Sequence, residues 1–282
     1  MSKISTFINL LINKPKEIPH IFKSKKEIRE LKYYYQYIQD QNIIWHICSP
    51  KSASTLLMNN LKAVISDNKR LTKNARMFRS GKTRNNIIDL NFFFNELDNK
   101  KINITTHSHS IITEDLKNCF SKKHKIIIQT RNILDTLVSL NDGMKISKKK
   151  FWMPIAEQYW DTKNIDHFQD LIFNYLPFHI NFLNGWLHLA KNSDLDFFFI
   201  KYEEVINRNT NKKILKEIFS NFKSDVKINF NNINFDKSKL NNFNLGEVSR
   251  GRKEIPAKYI DEIKNKLINN DYFKFNLINY LD

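Results

Sequence analysis

The chain has 282 residues, 41% of them hydrophobic, enough to bury a full core, and a single domain over 1–282 is the expectation. Its 46 Lys and Arg against 29 Asp and Glu give a formal charge of +17, which suits either a polyanionic ligand or a generally basic surface. Two cysteines, Cys48 and Cys119, exclude a disulfide framework and a Cys-type zinc site, and fit reduced thiols in a cytoplasmic protein.

In chain order, residues 1–40 read as an N-terminal helical extension. Its apolar piece "STFINLLIN" is too short to span a bilayer, so it packs on its own domain or lies on the inner membrane face. "NIIWHIC" (42–48) is the first predicted strand, and "SPKSAST" leads directly into helical spacing, with Leu57, Leu61, Val64 and Ile65 on one face. "KINITTH" (101–107) and "KIIIQT" (125–130) are the next two strands. A helix with Leu134, Leu137 and Val138 on one face follows the latter. Residues 151–191 read as a helical layer, and "DFFFIKY" (196–202) as a fourth strand. The Asn-rich stretch 223–250 has no period and reads as a long loop, and Pro256 opens a final amphipathic helix.

Alternating strands and helices predict an α/β fold of three layers, a central mostly parallel sheet of about 4–5 strands flanked by helices. Ligands of such sheets bind outside the carboxyl ends of the strands. The turn after the first strand offers a helix N-terminus, the hydroxyls of Ser52, Ser54 and Thr55, and the cation of Lys51, a combination that attracts phosphate or sulfate oxygens. It lacks the glycines of a Walker A loop, and a plain strand-to-helix turn with Ser/Thr caps is an equal reading of this segment alone. After the third strand, Arg131, Asp135 and Ser139 stand at i, i+4 and i+8, placing the guanidinium at a ligand-binding edge; the plain alternative is a surface ion pair. His107 and His109 share a face of an extended segment, without a third metal ligand at a convincing spacing, so no metal is expected. His46, inside an apolar strand, reads as a hydrogen-bonded core residue.

Together these residues resemble the sulfotransferases that use 3′-phosphoadenosine 5′-phosphosulfate (PAPS). "SPKSASTLL" looks like that family's phosphosulfate loop, Pro-Lys-Ser-Gly-Thr-Thr, with Ala53 where the glycine stands and Ser54 as a hydroxyl replacement. "TRNILDTLVSL" is similar to the 3′-phosphate motif Arg-Asn-Pro-x-Asp-x-x-x-Ser, with Arg131, Asn132, Asp135 and Ser139 in register and Ile133 in place of the proline. "TTHSH" looks like the family's Lys-Thr-His strand end, with Thr105 for the lysine, and "FFFIKYEEVI" like its strand ending in Tyr-Glu-Asp. "SRGRKEIP" stands where the family has a basic, glycine-containing loop. The elements agree in order from about Asn42 to Leu267.

The resemblance implies a sulfotransferase fold of the P-loop type, with 43–61 as the phosphosulfate loop unit and 223–253 as a loop closing over the cofactor. It implies sulfuryl transfer from PAPS to a hydroxyl of a carbohydrate, lipid or small metabolite, leaving adenosine 3′,5′-bisphosphate (PAP). His107 is then the base, with His109 as the alternative, and Lys51 and Ser139 complete the catalytic set. Lys51, Ser52, Ala53, Ser54, Thr55, Arg131, Ser139, Tyr202, Arg250, Gly251 and Arg252 bind the cofactor. Phe151, Trp152, Tyr159 and Trp160 either line the acceptor pocket or pack on the sheet, with Lys148–Lys150 a candidate lip. Leu56, where cytosolic members carry a Trp, points away from their small-phenol branch. Two other classes remain: a kinase-like P-loop enzyme, which would need a magnesium-binding carboxylate, and a non-catalytic basic binding protein on the same scaffold. Nucleic acid is not an expected partner.

Overall fold

A computed structural model describes residues 33, 35–65, 77–79, 86–88, 102–105, 107–146, 167–220, 229–233 and 248–281. The expectations for most of the N-terminal extension, for Lys148–Lys150 and the aromatic segment after it, and for most of 223–247 lie outside these residues. In chain order the elements are β1 (Ile43–Cys48), α1 (Ser54–Ala63), β2 (Met77–Arg79), β3 (Asn86–Ile88), β4 (Asn103–Ile104), α2 (Glu114–Lys117), β5 (Lys125–Thr130) and α3 (Ile133–Ile146). There follow α4 (Phe168–Asp170), a π turn (Leu171–Tyr175), α5 (Leu176–Lys191), β6 (Asp196–Lys201), α6 (Tyr202–Ile206), α7 (Arg208–Ser220), α8 (Gly251–Glu254) and α9 (Ala257–Asn269).

β1 and β5 are buried at every position, which is why their sequences are continuous β-branched runs rather than alternating ones. They pair in parallel, Ile44 opposite Lys125 through Cys48 opposite Gln129, at the centre of a four-stranded parallel sheet ordered β4-β1-β5-β6. Successive side chains leave by opposite faces. Ile43, Trp45, Ile47, Ile126 and Ile128 enter one core, with α3, α5 and α9. Ile44, Ile127 and Ile200 enter the other, with α1 and α7. Helices therefore cover both faces, as the three-layer expectation requires. Since β1 lies between β4 and β5, the chain leaves it in one direction and later returns past it in the other, a topological switch point that opens a crevice at the carboxyl edge.

Two strand expectations are corrected, and one strand pair is new. Among the described residues of the predicted strand over 101–107, β-ladder pairing with β1 is confined to Asn103–Ile104, and Ser108 rejoins through a bridge to Ile47. Between them the Thr105 hydroxyl accepts the His46 backbone N–H at 2.9 Å, where a sheet would use a carbonyl, so the chain bows out and carries His107 out of the ladder. Tyr202 is not the last residue of β6 but the first of α6, because the Glu204 carboxylate accepts the Lys201 backbone N–H at 2.6 Å and starts the helix there. The pair β2–β3 forms a separate antiparallel sheet that the sequence reading did not anticipate. Within the helical layer, the π turn falls just before Pro177, whose ring has no N–H for the preceding turn.

Candidate active site

The β1–α1 turn is the first wall of the site. Lys51 and Ala53 both take left-handed backbone conformations, φ 61° and 63°. For an alanine this costs about 1–2 kcal/mol, which a glycine would avoid. Ala53 occupies the N-cap position of α1 and no side chain caps the helix. Its methyl is accommodated by packing against the α1-side core. The loop's carbonyls are taken up from within the protein: Ser52 Oγ donates to Ser49 O at 2.7 Å, Arg131 Nη1 to Lys51 O at 3.1 Å, and Gln129 Nε2 to Ser52 O. Ser54 is buried and Thr55 half-buried at the start of α1. Burial pushes the pKa of the Cys48 thiol up to about 12, only partly opposed by the Ser54 and Ser52 hydroxyls, so the sulfur is an inert thiol rather than a nucleophile.

The β5–α3 turn is the second wall. Asn132 Oδ1 accepts the Asp135 N–H at 3.0 Å and caps α3, while its amide nitrogen donates to Leu281 O at 2.6 Å. Arg131 is buried, 3.9 Å from Asp135 Oδ2, and its guanidinium lies 4.1 Å from the centroid of the Tyr202 ring. The pair is therefore not a surface contact: Arg131 and Asp135 keep only 7% and 2% of their side-chain exposure. Burial lowers the Arg131 pKa, opposed by Tyr202 and Asp135, and the group stays cationic. Burial first, and Arg131 second, also lower the Lys51 pKa, while Asp142 raises it. Ser139 is buried one turn beyond Asp135.

Asp135 also joins the C-terminal segment to this wall. It accepts N–H bonds from Ser249 at 2.8 Å and from Gly251 at 2.7 Å. A Cβ on Gly251 would lie 2.3 Å from Leu134 Cβ, so only glycine lets α8 meet α3 this closely. The Gly251 amide is thus committed to Asp135. Arg250 donates to Asp142 at 2.9 Å and, through Nε and Nη2, to both carboxylate oxygens of Glu254. Arg252 is exposed on the same short helix.

Three histidines line the third side. The His107 ring is 6.2 Å from that of His46 and 5.6 Å from that of His109. His107 is partly exposed; burial, then the Lys62 charge, lower its pKa and keep it neutral near pH 7. His109 is buried, its Nδ1 bonded to Cys48 O at 2.7 Å, and burial takes its pKa down to about 3. His46 is a hydrogen-bonded core residue as expected, Nε2 to Gln129 Oε1 at 2.7 Å, with a pKa near 3 for the same reason.

The expected residues from β1, β5 and β6 thus meet at one edge of the sheet: one guanidinium touches the Lys51 carbonyl, the Asp135 carboxylate and the Tyr202 ring. Arg250 comes close to this cluster but is engaged by two carboxylates. The sequence reading missed Gln129, although an amide inside "KIIIQT" is the kind of interruption that marks a buried polar partner. It also missed the acceptor role of Asp135 and the Lys62 charge on His107. Among the described residues, no group of three or more His, Cys, Asp or Glu is placed to hold a metal ion. None of the described helices is long and apolar enough to cross a membrane.

Comparison with known proteins bears on the family and the fold. A family model described as the sulfotransferase domain matches residues 41–277. Among solved structures, the fold is similar to that of mouse sulfotransferase SULT7A1 complexed with PAP, at a TM-score of 0.51 and 16% identity, over 84% of this chain and 89% of that one. No curated protein matches the chain in sequence.

Proposed function

The chain belongs to the sulfotransferase family, matched over residues 41–277, and on that premise we propose that it transfers a sulfuryl group from PAPS to an acceptor hydroxyl. The observation that carries this reading is the convergence on Arg131: two cations, Arg131 and Lys51, share a buried edge with an N-terminus that no side chain caps and with the Tyr202 ring. Burial and then the Arg131 charge lower the proton affinity of Lys51, and an anion between the two cations relieves that repulsion. These residues fit an adenosine carrying phosphates at both its 3′ and 5′ positions.

In this reading the loop Lys51, Ser52, Ala53, Ser54 and Thr55 holds the 5′ end through backbone N–H groups and hydroxyls. Arg131 and Ser139 hold the 3′-phosphate, with Arg250 and Arg252 contributed by the segment that Gly251, through its bond to Asp135, secures beside the cofactor. Tyr202, already stacked on Arg131, borders the adenine. Bound PAPS supplies an activated sulfuryl group, whose S–O bond to the 5′-phosphate breaks as the acceptor oxygen bonds to sulfur. Lys51 neutralises charge developing on the leaving oxygen, a contribution on the order of 3 kcal/mol for a well-placed donor. His107, neutral and partly exposed, takes the acceptor's proton; His109, buried and bonded to a carbonyl, is the poorer candidate for that role. No step assigns work to a metal. The acceptor is a hydroxyl of a carbohydrate, lipid or small metabolite, and the reduced thiols Cys48 and Cys119 support a cytoplasmic setting.

The test is transfer of ³⁵S from labelled PAPS to fractionated metabolites, glycans and lipids, alongside calorimetric binding of PAP. Saturable PAP binding with label appearing in an acceptor supports the reading, and absence of both removes it.

A further inference from the structure

Gln129, His46 and Ser52 are each fully buried and bond in sequence beneath the β1–α1 turn. Chemistry assigns every proton in this chain of contacts. A carbonyl only accepts, so the Gln129 atom facing Ser52 O is the amide nitrogen, and Oε1 faces His46. Oε1 also only accepts, so His46 carries its proton on Nε2, 2.7 Å away. The Nδ1 lone pair is left buried with no hydrogen-bond partner among the described residues. Burial holds the ring neutral, with a pKa near 3.

These contacts orient the turn. None of the described peptide bonds is cis, and in a trans peptide the carbonyl and the following N–H point in opposite directions. With Ser52 O drawn to Gln129, the Ala53 N–H points away from it. With Lys51 O drawn to Arg131, the Ser52 N–H does likewise. Two successive amides are thereby turned to the side opposite the sheet, in a loop whose left-handed Lys51 and Ala53 would relax if the carbonyls were released.

We propose that Gln129, oriented by His46, is a positioning residue that holds the Ser52 carbonyl and so presents the Ser52 and Ala53 amides to a 5′-phosphate or phosphosulfate. The inference rests on the reading of this turn as the 5′-phosphate holder.

The test compares the affinities of PAP and adenosine 3′-monophosphate, which lacks the 5′-phosphate, for the wild type, Gln129→Leu and Gln129→Glu. Loss of the Ser52 bond should weaken PAP by about tenfold or more while moving the 3′-monophosphate by no more than about twofold. Equal weakening of both ligands, or of neither, overturns the proposal, since a purely structural role would not single out the 5′ end. A wild type that binds no PAP removes the functional reading first and this inference with it. If the variants do not fold, ¹⁵N spectra of wild-type histidines decide instead. A neutral His46 protonated on Nε2 at pH 7 supports the assignment, and a proton on Nδ1, or on both nitrogens, refutes it.

Discussion

The two turns at the sheet's carboxyl edge solve the same problem in opposite ways. Both join a buried strand to a helix N-terminus, yet α3 is capped by the Asn132 side chain, whereas α1 begins at a left-handed alanine that caps nothing. The β5–α3 turn is tied within the protein: Asn132 caps, Asp135 accepts from Ser249 and Gly251, and Arg131 bonds across to the other turn. The β1–α1 turn has its carbonyls secured and its helix end uncapped by side chains. One turn has its backbone groups taken up by the protein and offers side chains, Arg131 and Ser139, whereas the other offers backbone donors, which are best displayed where no side chain of the protein competes for them.

The largest effect expected from disturbing this contrast is at Arg131, which serves both turns. Arg131→Ala should weaken PAP on the order of a hundredfold, because a charge-assisted contact, the Lys51 carbonyl restraint and the Tyr202 stack go together. Calorimetry reads this, and a loss below about threefold would mean the turns are energetically independent.

Next is Asp135→Ala, which strands the Gly251 amide and the Arg131 charge in a buried setting and releases the Ser249 amide at the surface. The expected cost is about 3 kcal/mol of unfolding free energy, measured by denaturant titration. A cost under about 0.5 kcal/mol would show that these ties are not stabilising.

The pH dependence of turnover is a smaller test. His107 must be neutral to accept a proton, and burial followed by Lys62 lowers its pKa, so activity should hold as pH falls through 6.5 and be lost only lower, as the ring protonates. Lys62→Gln removes the lesser cause and should move this acid limb upward; an unmoved limb would assign the base elsewhere.

The smallest effect is expected at Ala53→Gly. Relief of left-handed strain, offset by greater freedom of the unfolded chain, should leave stability within about 1 kcal/mol and PAP affinity within about twofold. A marked loss of affinity would show that the methyl, and not the backbone, is used.

Much of this was legible along the chain. β1 and β5 appear in the sequence because strands covered on both faces need unbroken apolar runs, β6 because its Phe-rich run suits a strand even at a half-covered edge, and α9 because Pro256 announces its start. The motif around Lys51 and that around Arg131 were legible as chemistry, since hydroxyls and cations beside a helix start have few other uses. What the chain did not announce is the bow at Thr105, where a side chain substitutes for a backbone acceptor, or the early start of α6 at Tyr202. Both depend on single hydrogen bonds that leave no period.

The sequence by itself determined the strands, the helix starts and which residues carry charge, because those follow from local geometry repeated every two or 3.6 residues. Only the tertiary structure decided that Asp135 holds a segment 116 residues away, that Arg250 faces two carboxylates, and that Gln129 and His46 stand beneath the loop. Those outcomes come from the pairing of β1 beside β5 and the docking of α8 on α3, contacts between distant segments that no local pattern encodes.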